Sequence, residues 1–165
     1  MAAITLGGNP CNTIGDIPSQ GQQAPDFQLV RDDMTDFSSS DLTGKRVVLN
    51  IFPSVDTGVC AASARKFNEL ASQMDNTQVL CVSRDLPFAQ KRFCGAEGLD
   101  NVIMLSDFRT GDFGKDYGLT ITDGAFNGLH SRVVIVVDED GKVLHSEQVP
   151  EIGQEPDYDA AMAVL

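Results

Sequence analysis

The chain has 165 residues, 42% of them hydrophobic and none of them tryptophan, enough to enclose a core in a single domain. Its net charge of −12 leaves no basic footprint for phosphate and opposes anionic lipid, so neither nucleic acid nor a membrane surface is expected as a partner. No apolar run approaches the roughly 18 residues needed to cross a bilayer, and the first residues lack the basic start and apolar stretch of a secretory signal, so a cytoplasmic location is expected.

Residues 4–6 and 11–14 flank Gly7-Gly8-Asn9-Pro10, which predicts an N-terminal hairpin. Residues 15–25 are polar and irregular. Residues 27–30 and 34–37 flank the turn-prone Asp32-Asp33 and predict a second hairpin, with a short helical turn at 40–42 before Gly44. The β-branched and apolar run 47–52 predicts a buried strand. From Cys60 onward, Ala64, Phe67, Leu70, Ala71 and Met74 recur at helical spacing, so a helix is predicted over about 59–74.

A second buried strand follows at 79–83. Asp85 and then Pro87 read as a helix start, with Asp85 as the N-cap or an N-terminal charge and proline in the first turn, where its missing N–H costs nothing. That helix covers 88–94 and must close by Gly95 or Gly98. Residues 102–105 predict a strand and 111–117 a short helix ended by Gly118. Residues 132–137 and 142–148 form a hairpin across the acidic turn, and 157–165 a closing helix after Pro156. This order predicts an α/β chain with a mixed central sheet flanked by helices.

The four cysteines, at 11, 60, 81 and 94, include no C-x-x-C pair and no zinc-finger spacing. His130 and His145 are remote from each other and from the cysteines in sequence, so neither metal nor cofactor is expected. Few, irregularly spaced cysteines read better as thiol chemistry than as a disulfide scaffold. Cys60 is the sharpest candidate, because it falls in the first turn of a helix. There the free N–H groups and partial positive charge favour the thiolate, which is the reactive form. On residues alone, Cys60 also fits a small apolar residue in a strand-to-helix turn. By the same standard Cys94 fits a buried helix cysteine, and Arg132 a solvated strand end.

The pattern Pro53-x-x-x-Thr57-x-x-Cys60 resembles the active-site motif of the peroxiredoxins, and residues 49–63 resemble the bacterial thiol peroxidases among them. Two further segments carry the likeness. One is Asp-Leu-Pro-Phe-Ala-Gln-Lys-Arg-Phe-Cys-Gly-Ala-Glu-Gly at 85–98; the other is Gly-Leu-His-Ser-Arg-Val-Val at 128–134. The similarity runs over essentially the whole chain. It implies a thioredoxin-like fold with an added N-terminal hairpin, and a homodimer. It also implies reduction of hydrogen peroxide and organic hydroperoxides, with thioredoxin as reductant.

Carried onto this sequence, the resemblance makes Cys60 the peroxidatic cysteine, oxidised to a sulfenic acid. Cys94 becomes the resolving cysteine that closes an intrachain disulfide with it. Thr57 would place its hydroxyl near the sulfur and a peroxide oxygen, Arg132 would supply a fixed positive charge, and Pro53 would shield the thiolate from water. Cys81 lies mid-strand in an apolar run and reads as core, while Cys11 has no inherited role. An alternative is a non-catalytic peroxide sensor or redox relay using the same two cysteines.

Overall fold

The computed structural model describes residues 2–165, which form nine strands, four α-helices and a short 3-10 turn at Ser39–Leu42. The strands are β1 (Ala3–Leu6), β2 (Asn9–Asn12), β3 (Gln28–Arg31), β4 (Asp36–Ser38), β5 (Arg46–Ile51), β6 (Thr77–Ser83), β7 (Val102–Ser106), β8 (Val133–Val137) and β9 (Val143–Gln148). The helices are α1 (Gly58–Ala71), α2 (Pro87–Glu97), α3 (Asp112–Asp116) and α4 (Tyr158–Met162). Strands β3 to β9 make one mixed sheet in the order β4-β3-β7-β6-β5-β8-β9. The three central strands β7, β6 and β5 are parallel, joined through α2 and α1, and the outer pairings are antiparallel.

Side chains along the central strands alternate between two apolar layers, as a period of two requires. Leu49, Ile51, Leu80, Val82 and Ile135 face the layer that contains Phe113 and Tyr117 of the α3 region. Val48, Phe52, Val79, Cys81, Val134 and Val136 face the layer that contains Ala64 and Phe67 of α1 and Ala161 of α4. Both faces are covered, which is why these strands read as unbroken apolar runs. Phe67 is fully buried and meets the Tyr158 ring edge-on at 5.2 Å. Phe67→Ala is expected to cost about 3–5 kcal/mol, read as a lowered urea midpoint with an unchanged slope.

Several boundaries differ from the sequence expectation. Helical hydrogen bonding in α1 ends at Ala71, because Gln73 and Met74 donate three residues back, to Leu70 and Ala71. Met74 still reaches the core through this tightened last turn. Helix α2 passes through Gly95 and stops at Gly98, whose φ of 65° ends it in the left-handed conformation. Met34 adopts φ 71° and belongs to the β3–β4 turn, not to the strand. Helix α4 is one short turn, capped by the Asp157 carboxylate on Ala160 N–H at 3.0 Å.

The β1–β2 hairpin turns on Gly7 and Gly8, both at positive φ (57° and 83°), as its two-residue loop demands. The hairpin forms its own two-stranded sheet and buries Ile4 and Cys11 against Ile121 and Ile152. It is bonded to the segment after β9 by Thr5 N–H to the Pro150 carbonyl and Ile152 N–H to the Thr5 carbonyl, both 2.8 Å. Glu151 completes the joint by accepting Gly8 N–H (2.8 Å) and the Thr5 hydroxyl (3.0 Å) on one oxygen and Gly153 N–H (2.7 Å) on the other. These donors hold its carboxyl down to about 2.

Candidate active site

Strand β5 leads directly into the site. Phe52 N–H still bonds the Val82 carbonyl at 3.1 Å, and the buried Pro53, which has no N–H, marks where the chain leaves the sheet. The loop that follows folds on Ser54, whose carbonyl accepts both the Thr57 N–H (3.3 Å) and the Thr57 hydroxyl (3.1 Å). Thr57 occupies the N-cap position of α1 with extended backbone (φ −98°, ψ 143°), yet its side chain does not cap. Its hydroxyl oxygen therefore keeps lone pairs to offer elsewhere. Cys60 is the third residue of α1 and is fully buried, among Phe52, Val55, Ala64 and Phe67.

Arg132 stands immediately before β8 and is 2% exposed, the largest fully buried side chain among the described residues. Its Nη2 donates to Cys60 Sγ at 3.3 Å, across 72 positions of sequence. Its Nε donates to the Ile152 carbonyl at 2.7 Å, which fixes the plane of the guanidinium. Nη1 is buried without a partner. A buried donor left unpaired costs about 1–3 kcal/mol, so this N–H, on the same guanidinium that touches Cys60, marks a place for an acceptor. One carbonyl and one thiol thus hold a fixed cation, with one nitrogen to spare, in an apolar setting, where a positive charge stabilises any nearby anion.

Cys94 sits on α2, partly packed against the same apolar layer as Cys60, and donates to the Leu99 carbonyl at 3.2 Å. It also lines an open hollow of about 420 Å³ with Arg31, Asp32, Lys91 and Asp100. Burial first, and then the charges of Asp32 and Asp100, push its thiol up. All four cysteines are free thiols. The structure thus brings Cys60 into contact with Arg132, with Pro53 and Thr57 on the loop leading to Cys60, and leaves Cys94 on a separate helix with no bond to Cys60.

Cys81 is part of the core, as expected, and burial pushes its thiol up to about 12. At pH 8 only about one molecule in ten thousand would carry its thiolate. Iodoacetamide should therefore leave Cys81 unmodified in the folded protein and label it on unfolding, a difference peptide mass spectrometry can read. Because the folded value lies above the unfolded one, stability from this group is complete below the ordinary thiol range. It is lost as pH rises from there toward 12. Cys11 lies in the hairpin contact, where burial and the charges of Asp123 and Glu151 raise its thiol too.

Asp85 does not cap α2, one of the two roles its sequence position allows. The residue capping α2 is Leu86, and it makes no side-chain cap bond; Pro87 opens the helix as expected. The Asp85 carboxylate instead accepts from Ser54, Val55 and Ser83, so it belongs to the Cys60 loop. The pairing of Asp85 with Ser54, 31 positions apart, leaves no signal in local spacing. Among the described residues, no group of three or more His, Cys, Asp or Glu is placed to hold a metal ion. Among the same residues, no helix is long and apolar enough to cross a membrane. The buried His130–Asp107 pair (2.8 Å) is tied to the N-terminus of α3 through Gly114 N–H at 3.1 Å.

Comparison with known proteins agrees with this arrangement. The family profile described as Redoxin matches residues 19–162. A thiol peroxidase of Mycobacterium bovis is 56% identical over 165 residues, covering 100% of this chain and 99% of the relative. A peroxiredoxin-like protein from Aquifex aeolicus superposes with a TM-score of 0.93 at 39% identity, covering 99% of this chain and 96% of that one. The thiol peroxidase from Chromobacterium violaceum gives 0.92 at 25% identity, over 99% and 95% of the two chains. With a relative more than half identical over its full length, a matching domain profile and this sheet with its added hairpin, the chain belongs to the redoxin family, among the bacterial thiol peroxidases of the peroxiredoxins.

Proposed function

We propose that this chain reduces hydrogen peroxide and organic hydroperoxides at Cys60, and the observation that carries the reading is the 3.3 Å contact between the buried Arg132 guanidinium and Cys60 Sγ. The guanidinium favours the thiolate and holds it in place. The thiolate attacks the terminal peroxide oxygen, the O–O bond breaks, and Cys60 becomes a sulfenic acid while the departing oxygen takes a proton and leaves as water or alcohol. Negative charge moves from sulfur to that oxygen; the unpaired Arg132 Nη1 is the donor offered to it, and the Thr57 hydroxyl joins by turning its hydrogen away from the Ser54 carbonyl. Pro53 keeps the mouth of the site closed to bulk water.

Cys94 then attacks the Cys60 sulfenic acid, releasing water and closing an intrachain disulfide. Bridging needs the two Cα atoms within about 7 Å, and in this reading the first turn of α1 and part of α2 move to bring them there. A dithiol reductant, thioredoxin, restores both thiols and is itself left as a disulfide. Cys94 borders the open hollow whereas Cys60 is enclosed, so the reductant's thiolate meets Cys94 sulfur. Cys60 then leaves as the thiolate beside Arg132, which is the better-stabilised leaving group. No cofactor or resident metal takes part in this scheme.

The reading includes a homodimer in the cytoplasm. Leu86 and Phe88, 52% and 66% exposed beside the Cys60 loop, are the apolar surface that a second copy would cover. Light scattering at micromolar concentration should give about twice the 17.7 kDa chain mass; a lone monomer there removes the dimer. The chemistry itself is tested by coupling peroxide consumption to thioredoxin and its reductase. Steady turnover supports the enzyme, and a single oxidation without turnover would favour the sensor or relay.

A further inference from the structure

The Cys60 loop and the Cys94 helix share one anchor. Asp85 accepts the Ser54 hydroxyl (2.7 Å) on one carboxylate oxygen, and the Val55 N–H (2.9 Å) and Ser83 hydroxyl (2.6 Å) on the other. Two of these donors belong to the loop and the third to the end of β6. The Asp85 carbonyl accepts the Ser106 hydroxyl at the end of β7, so the residue is also held from the sheet. Beneath it the fully buried Gln90 of α2 donates to Ser83 Oγ (3.2 Å) and to the Leu105 carbonyl (2.8 Å). Asp85 lies two residues before Pro87, where α2 begins.

A second link, Arg92 to Asp56 at 3.3 Å, joins the same helix and loop, but both side chains are 67% exposed. Such a surface pair contributes little, whereas bonds to a carboxylate are roughly twice as strong as neutral ones. Asp85 is thus the dominant tie. Its effect reaches Cys60 by a short route, because the Ser54 carbonyl holds both the N–H and the hydroxyl of Thr57, the residue that opens α1.

We propose that Asp85 is a positioning residue for the peroxidase reaction, holding the Ser54–Thr57 loop in the form that attacks peroxide and tying it to the helix that delivers Cys94. The proposal rests on the roles given above to Cys60 and Cys94. The two steps make opposite demands on the tie. Attack needs the loop held, and disulfide closure needs it released. Weakening the tie therefore slows sulfenic acid formation without slowing closure, and diverts the sulfenic acid from over-oxidation toward the disulfide.

Asp85→Asn keeps the shape and one acceptor oxygen, while Ser54→Ala removes one of the three donors to Asp85, together with the acceptor of the Asp56 N–H (3.1 Å), and leaves the carboxylate in place. Each is made in the parent chain and in a Cys94→Ser chain, and mixed rapidly with hydrogen peroxide. Sulfenic acid at Cys60 is trapped with dimedone in the Cys94→Ser background, and closure is followed in the parent background by loss of free thiols. Asp85→Asn should slow sulfenic acid formation about 10- to 100-fold and Ser54→Ala by less, with closure unchanged or faster. The peroxide dose that over-oxidises half of Cys60 should rise in both. Unaltered sulfenic acid formation in both variants overturns the proposal. So does a parallel fall of both rates with the urea midpoint, which is the mark of a merely structural residue. If unmodified Cys60 forms no sulfenic acid, the peroxidase reading fails at its own step and this proposal falls with it.

Discussion

Cys60→Ser should consume no peroxide, and Cys94→Ser should consume about one equivalent quickly and then stall. A serine hydroxyl is almost wholly protonated at neutral pH, so the fixed Arg132 guanidinium would face a neutral, weakly nucleophilic oxygen in place of sulfur. Cys94 is not needed until the sulfenic acid exists, so its loss leaves the first step near the wild-type rate. The stalled protein should accumulate sulfinic and sulfonic acid at Cys60 under excess peroxide, since no neighbouring thiol captures the intermediate. Stopped-flow traces with mass spectrometry of the Cys60 peptide check each part. Full thioredoxin-dependent turnover by Cys94→Ser would show that another thiol, or thioredoxin itself, resolves the sulfenic acid.

Arg132→Met should separate catalysis from folding. A buried guanidinium carries a desolvation cost of several kcal/mol, and replacing a buried charge by an apolar side chain of similar volume is often neutral or stabilising. The Ile152 carbonyl loses its Nε donor, an offsetting cost of about 1–3 kcal/mol. Net stability should therefore move little. Peroxide reduction should fall at least 100- to 1000-fold, roughly the loss seen when a preorganised donor is removed from a reacting oxygen. Arg132→Lys keeps the charge but not the fork that reaches Ile152 and Cys60 together, and should recover only part of the rate. Equal loss of activity and of the urea midpoint in Arg132→Met would show that the arginine acts mainly through folding.

The strands and the first long helix were legible from periodicity, because each buried layer takes alternate residues of a strand and every third or fourth residue of a helix. The motif around Cys60 was legible from its resemblance to the peroxiredoxins, and the resemblance also picked out Arg132. Local pattern could not have done so, since an arginine beside five valine and isoleucine residues looks like a strand end meeting solvent. Only the tertiary fold turns it inward. The cap role of Asp85 was misread for the opposite reason. An aspartate shortly before a helix-opening proline satisfies the capping rule locally, but two donors from the distant Cys60 loop and the nearby Ser83 hydroxyl outcompete the helix N–H groups for its oxygens. Met34 escaped because left-handed backbone at a non-glycine residue is set by the closing bonds of its turn, Met34 N–H to Arg31 at 2.9 Å and Arg31 N–H to Thr35 at 2.8 Å.

The N-terminal hairpin contributes no strand to the main sheet, and the redoxin match begins only at residue 19. Yet its Thr5 carbonyl holds the N–H of Ile152, the residue whose own carbonyl orients Arg132. The opening dozen residues therefore act on the reacting sulfur at third hand, as a guy-line steadies a mast it does not touch. The line slackens with acid: the folded Glu151 value lies below the unfolded one, so its hold is complete above the ordinary carboxylate range and is lost as pH falls toward 2. Substitutions in the hairpin should accordingly spare the sheet while loosening the guanidinium, making the chain's outermost segment a remote dial on its most enclosed atom.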